Sequence, residues 1–302
     1  MESISELRAI CQKPKISDRE DIGMNYHDFK TRLEMGLSIY FTWVFIRFGV
    51  SANIVTIISG ICALIGGILL AFNNIWLLWI GVLFLEFYNI LDFSDGEIAR
   101  YHKSGSIFGW FIDWYMLFIR DAAMFTGLAI SAYLVQPNLL IILCGFFAVL
   151  TPLMDKTIMG CGWTVISWQR LVKLQKGKLI ESLSDDKTNS NYEKPNFYKN
   201  NLSKNNLFFS LLKRIWRISI SIFQHHWSLL VLAILLLVQM AINYFFVISI
   251  DFRPYLIIYC GCYGPFYVLV RLFRAIKENS FQYKYDLLFH NKNKVKSIDY
   301  II

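Results

Sequence analysis

Residues 92–113 read DFSDGEIARYHKSGSIFGWFID, and the stretch lies between two long apolar runs. Asp92, Asp95 and Asp113 thus put three carboxylates into sequence that otherwise reads as membrane helix. One acidic side chain in such a helix costs about 2.5–3.5 kcal/mol on insertion scales, so three close together ask for a compensating partner. The natural partner is a divalent cation.

The flanking runs decide the fold class. The chain has 302 residues, 56% of them hydrophobic and 17% aromatic, with mean hydropathy +0.44. That exceeds what a soluble domain carries and predicts an all-α integral membrane protein. Met1 to Lys30 is polar and charged, with no apolar segment of the kind a cleavable signal peptide needs, so the N-terminus is expected to stay in the mature chain. A stretch from about Tyr26 to Phe48, carrying Arg32 and Arg47, reads as an interfacial amphipathic helix. Asn53 is an expected N-cap for a first span over Ile54–Phe72, and Asn73–Asn74 turn into a second over Ile75–Arg100. A third span runs from Ser106 to near Val135, a fourth from Leu139 past Pro152, a fifth from Trp227 to Ile250 and a sixth from Tyr255 to Phe273. Six transmembrane helices are therefore predicted. The expected divisions are a cytoplasmic N-terminus with its interfacial helix (1–48), a membrane core (49–168), a polar loop with a basic amphipathic stretch (169–226), spans five and six (227–275) and a basic tail (276–302). Ser59, Ala63 and Gly67, spaced i,i+4, favour close helix packing within or between chains.

With the N-terminus inside, all but two of the 30 Lys and Arg fall on the cytoplasmic side: Arg253 lies in an outer turn and Arg120 within the third span. The positive-inside rule then makes both termini and the acidic stretch cytoplasmic, in a multi-pass protein. The net charge of +8 belongs to juxtamembrane segments facing anionic lipid. No nucleic-acid-binding motif accompanies it, so no nucleic acid partner is expected. Six cysteines at 11, 62, 144, 161, 260 and 262 lack paired spacing and read as packing residues. Of the histidines, His102 alone stands beside the acidic cluster.

At 100° per residue, Asp92, Asp95, Gly96 and Ala99 share a stripe of roughly 100°, with Asn89 and Arg100 near its edges. Carboxylates on that face suit Mg²⁺ or Mn²⁺, and small residues let a phosphorylated ligand approach the backbone. Arg100 suits phosphate oxygens. On the next helix Gly109 and Asp113 are spaced i,i+4, and Asp113 lies about 10 Å from the intervening loop, a depth comparable with that of Asp92. The plainer alternative is that these acids pair with Arg100, Lys103 and Arg120 as structural glue.

The stretch resembles the signature of the CDP-alcohol phosphotransferase (phosphatidyltransferase) family, DxxDGxxAR, eight residues, G, three residues, D. Here it reads DFSDGEIAR, YHKSGSIF, G, WFI, D, and GVSANIVT over Gly49–Thr56 looks like the family's entry to the first span. The resemblance covers roughly Phe48 to Ala129. It implies a six-helix membrane enzyme, commonly a homodimer, that moves a phospho-alcohol from a CDP-linked donor to an acceptor hydroxyl and releases CMP. It also implies metal binding by Asp92, Asp95 and Asp113, contact of Gly96, Ala99 and Arg100 with the CDP portion, and an open pocket at Gly109.

The family signature ends on a fourth aspartate, assigned as metal ligand and base, and this chain has Leu117 there. Leucine neither ligates nor takes a proton. Asp121, a further turn along, lies too far for simple replacement, and His102 is a candidate for a borrowed base. A retained transferase acting on an already anionic or easily deprotonated acceptor, a retained transferase with another base, and a catalytically impaired CDP-binding protein or partner subunit are all consistent with that departure. A transporter would spread polar residues across the midplane, whereas these charges cluster near one side. Lys156, Arg271 and Arg274 either form a basic pocket for an anionic acceptor or simply obey topology; the acceptor class extends from lipid to polyol or glycan.

Overall fold

The computed structural model describes residues 2–12, 29–175, 227–246 and 250–277, and every regular element among them is a helix. In chain order these are α1 (Ile4–Cys11), α2 (Phe29–Arg47), α3 (Ala52–Leu70), α4 (Ile75–Tyr101), α5 (Ile107–Val135), α6 (Leu139–Gln175), α7 (Trp227–Phe246) and α8 (Arg253–Lys277). Among the described residues five helices are long and apolar enough to cross a bilayer, over Ala52–Leu70, Ile75–Tyr101, Phe108–Val135, Leu139–Ile158 and Arg253–Phe273. Leu229–Phe245 is a shorter apolar helix. The protein is thus an all-α, multi-span membrane type.

The chain's own end signals set the boundaries. After α2, Gly49 takes φ +67°, its N–H donates to Ile46 O at 3.1 Å, and Val50 N–H donates to Phe45 O at 2.9 Å. This doubly bonded left-handed cap ends the helix and needs a residue without Cβ strain. Ser51, not Asn53, is the N-cap of α3, which begins two residues earlier than the expected span and ends at Leu70. Asn74 caps α4 through its side chain, accepting from Trp76 N at 2.9 Å. The same left-handed cap closes α4, with Lys103 at φ 50° and Ser104 N–H donating to Ala99 O at 2.9 Å. α6 runs on to Gln175, past the predicted break at Gln169, because QRLVKLQ consists of good helix formers once a turn is under way. The segments 176–226 and 278–302, with most of the predicted loop, the basic amphipathic stretch and the basic tail, lie outside the described residues.

Packing rests on small residues, as it must where lipid gives helices no hydrophobic drive to associate. α3 is wedged between α4 and α5, which themselves hardly touch. A Cβ on Gly67 would sit 2.6 Å from Ala123 of α5, and one on Gly66 would sit 2.9 Å from Gly81 O of α4. Ser59 and Ala63 are fully buried on the same helix, so the small-residue stripe is used within the chain. Gly261 and Gly264 bring α8 equally close to Cys144 and Thr151 of α6. Ala63, Leu85, Tyr88, Met124, Leu128 and Ile257 belong to the shared core. Cys11, Cys62, Cys144 and Cys260 are buried as expected, whereas Cys262 is exposed.

A helix forms as α2 within the stretch expected to lie at the interface, but its buried and exposed sides are reversed relative to a soluble surface helix. Lys30, Thr31, Glu34, Ser38 and Thr42 are buried, while Phe29, Leu33, Leu37, Tyr40 and Val44 are exposed. An apolar outer face is what contact with lipid requires, and the inner polar row finds its partners on α4. Lys30 Nζ donates to Glu86 Oε1 at 2.7 Å, and Ser94 Oγ donates to Ser38 O at 3.0 Å.

Candidate functional site

α4 carries Asp92 and Asp95 on the side where α3 separates it from α5. Asp95 is 7% exposed and accepts a hydrogen bond from Thr56 Oγ1 of α3 at 2.5 Å. Asp92 and Asp113 both act electrostatically on Asp95, which places the three carboxylates from α4 and α5 around one region. Asp92 and Asp113 are half-buried, and Tyr88 OH donates to Asp92 Oδ1 at 3.3 Å. Tyr88 is itself fully buried and lies within reach of the charges on Asp92, Arg120, Asp113 and Asp121. Like charges gathered in an apolar surround repel far more strongly than in water.

Gly96 and Arg100 are coupled one turn apart. A Cβ on Gly96 would stand 3.3 Å from Arg100 Nη1, so the glycine makes room for the folded-back guanidinium. Arg100 Nε donates to Cys11 O, the carbonyl closing α1, at 2.6 Å. Ala99 is half-buried beside them. On α5 the N–H of Gly109 donates to Ser106 Oγ at 2.9 Å, which caps the helix, and a Cβ there would meet Asn53 Oδ1 at 3.0 Å. His102 is exposed at the C-cap of α4, its ring edge-on to Tyr101.

Leu117 is half-buried, and its carbonyl accepts from Lys156 Nζ of α6 at 2.8 Å. Lys156 also pairs with Asp121 Oδ2 at 2.5 Å and lies over the Phe118 ring. Asp121 is shared with the fully buried Arg120, whose Nε stands 3.2 Å from Oδ1. Arg271 pairs with Asp155 and Tyr267. Lys156 and Arg271, two of the three cations that read either as an acceptor pocket or as topological charges, are thus engaged in internal pairs, and the side chain of Arg274 lies outside the described residues.

The donor set near Asp95 consists of carboxylates and a hydroxyl, hard oxygens of the kind Mg²⁺ or Mn²⁺ takes. It fits such a cation by chemistry; among the described residues no three His, Cys, Asp or Glu side chains are drawn together as a closed ligand set. A cleft of about 550 Å³ lies at the other end of the helices, lined by Asn73, Gln136, Gln239, Asn243, Asp251 and Tyr255. Asp251 is the carboxylate in its lining, and none of the three acids of α4 and α5 reaches it.

Sequence reasoning passed over Thr56, Tyr88 and the partners of Arg100. Thr56 falls one turn after Ala52 on a face that only the α3–α4 packing defines, and Tyr88 reads as ordinary core. The one available signal was the placement of Tyr88 four residues before Asp92.

No curated protein matches the chain. Residues 49–178 match the family model described as CDP-alcohol phosphatidyltransferase, a segment that contains α3, α4 and α5, all three carboxylates and Thr56. The chain therefore carries a CDP-alcohol phosphatidyltransferase domain at residues 49–178.

Proposed function

We propose that this protein transfers a phospho-alcohol from a CDP-linked donor to an acceptor hydroxyl, releasing CMP, in phospholipid or envelope lipid or glycan synthesis. The domain's family consists of membrane phosphotransferases of phospholipid synthesis that generally depend on a divalent metal. One observation supports the reading for this chain: Asp92 of α4 and Asp113 of α5 both act electrostatically on the buried Asp95. In the reaction the acceptor oxygen bonds to the alcohol-side phosphorus of the donor diphosphate. The bond from that phosphorus to the bridging oxygen breaks, CMP leaves with the bond's electrons, and the hydroxyl proton passes to a base.

Asp92, Asp95 and Asp113 would hold Mg²⁺ or Mn²⁺, which when bound neutralises the diphosphate and steadies charge at the attacked phosphorus. Arg100 offers a guanidinium to phosphate oxygens, with Gly96 and Ala99 leaving space beside it. Positioning and charge supply most of the rate in phosphoryl transfer, which is why a chain lacking the usual base can still turn over. His102 is the candidate base on exposure alone, whereas Asp121 is engaged by Lys156 and Arg120. Six spans with α7 as the fifth, α2 at the interface and a cytoplasmic site complete the reading. The acceptor is a lipid, polyol or glycan hydroxyl, and a homodimer is the assembly the family resemblance implies.

Leu117 favours a second reading, a protein that binds CDP-ligands without turning them over. Incubating the purified full chain with Mg²⁺ or Mn²⁺, a panel of CDP-alcohols and lipid or polyol acceptors separates the two. CMP released from any pair supports the transferase. CMP binding without release across the whole panel supports the second reading, and absence of both contradicts each.

A further inference from the structure

Helices α1 and α2 both precede the matched domain at residues 49–178, yet both close on the one turn of α4 that holds Glu97 and Arg100. Glu97 is 1% exposed, and its carboxylate is met by three neutral donors. Gln12 Nε2 donates to Oε1 at 2.8 Å, Ser38 Oγ to Oε1 at 2.8 Å and Thr42 Oγ1 to Oε2 at 2.6 Å. Gln12 Nε2 also reaches Met35 O at 2.7 Å, so this one side chain joins α1, α2 and α4. A buried carboxylate is tolerated only when its oxygens are satisfied in this way, which makes the arrangement all-or-none.

α1 is built to be held as a unit. Ser3 and Glu6 form a reciprocal cap at its start, with Ser3 N donating to Glu6 Oε2 at 2.7 Å. At its other end Leu7 and Cys11, 2% and 0% exposed, pack with Ile39 against Trp43, Ile46 and Tyr101. The last carbonyl of α1 then accepts from Arg100 Nε, and the same guanidinium lies over Gly96. A helix C-terminus presents unpaired carbonyls with partial negative charge, which is a suitable seat for an arginine. Nε is spent on α1, and that fixes the plane in which the two terminal nitrogens can meet a ligand.

We infer that α1 is a positioning element of the nucleotide site: Gln12 and Glu97 lock it to α4, and Cys11 O sets the orientation of Arg100. The inference rests on the proposed reading of Arg100 as a nucleotide contact. By linkage, a ligand that needs the ordered Arg100 also holds α1 down. Cys11 reports on that state. Burial, with the neighbouring charge of Glu97, pushes its thiol up to about 11 from an ordinary 9.0, so its thiolate fraction is low by roughly 100-fold while α1 is docked.

The test uses the full chain in detergent or nanodiscs, with CMP and Mg²⁺ as the probe and maleimide alkylation of Cys11 read by peptide mass spectrometry. In the unaltered protein CMP should slow alkylation of Cys11 about 5-fold or more, a measurement that needs no variant to fold. Gln12→Ala and Thr42→Val should speed alkylation and weaken CMP about 10-fold. Where turnover is measured, they should raise the KM for the CDP-donor by a similar factor and leave kcat within about 3-fold, a split that general destabilisation would not give. Freed Cys11 with unchanged CMP affinity and KM would overturn this inference alone, as would CMP binding with no effect on Cys11. If the unaltered protein binds no CMP with either Mg²⁺ or Mn²⁺, the nucleotide-site reading falls and takes this inference with it.

Discussion

Asp95 and Glu97 are two residues apart on α4, both buried, and they live in opposite electrostatic worlds. Glu97 faces the N-terminal helices and is met by Gln12, Ser38 and Thr42, neutral donors that satisfy its oxygens without a counter-charge. Asp95 faces α3 and α5, where Thr56 donates to it and the carboxylates of Asp92 and Asp113 act on it as like charges. The protein itself satisfies one acid; the other is the one to which the proposed function assigns a cation. A two-residue step turns a helix by about 200°, so a single helix carries the two carboxylates on different sides.

That contrast fails or sharpens under substitution. Asp92→Asn or Asp95→Asn should lower CMP release about 100-fold or more, since each removes a proposed ligand where charge is concentrated, while changing thermal stability little or raising it through relief of repulsion. A steady-state assay paired with a melting curve in detergent reads both; an unchanged rate would break the comparison on the Asp95 side. Glu97→Ala should act the other way round. It strands buried donors from α1 and α2, with an expected loss of about 1–3 kcal/mol in the same melting measurement. A neutral Glu97→Ala would mean that the cage does not hold the turn.

Gly67→Leu drives a branched side chain into Ala123, and overpacking of about 1–3 kcal/mol should loosen α3 between α4 and α5. Metal affinity should fall with stability, because α3 supplies Thr56 and sets the gap between the carboxylates. A smaller effect of opposite sign is expected at Lys103, whose left-handed φ of 50° suits glycine. Lys103→Gly should stabilise by roughly 1 kcal/mol, less the entropy that glycine gives the unfolded chain.

A pH effect is expected at the far end of the helices. Burial works to raise the Asp251 carboxyl, but its hydrogen bonds and charge pairing with Arg253 prevail and hold it below the usual value. A lowered carboxyl contributes stability at pH above its unfolded value and loses it as pH falls through the folded one. Melting curves from neutral pH down past 4 should therefore lose that part of the stability in the unaltered protein, and Asp251→Asn should flatten the acid limb.

The spans, their order and the carboxylate trio were legible because each leaves a periodic or fixed-spacing mark. Apolar length marks α3 to α6 and α8, and DxxDGxxAR with Gly109 and Asp113 marks the site. The collar left none. Gln12, Ser38 and Thr42 are common polar residues whose partner lies 55 to 85 positions away, and only the packing of α2 on α4 makes them converge on Glu97. The direction of the polar row of α2 was hidden for the same reason: it looks like a water-facing row until lipid is taken as the outer solvent. Lys156 and Arg271 could be read either as acceptor-binding or as topological cations because sequence shows a charge and not its partner; Asp121 and Asp155 pair with them.

The most direct test of the central claim, that Asp92, Asp95 and Asp113 form a metal-dependent CDP site, is the affinity of the purified full chain for CMP titrated against Mg²⁺ or Mn²⁺. Asp113→Asn serves as the comparison, since it removes the one proposed ligand that α5 contributes. The account predicts that CMP binding rises with metal in the unaltered protein and that Asp113→Asn abolishes the metal dependence. Equal metal-dependent binding in both proteins would contradict it.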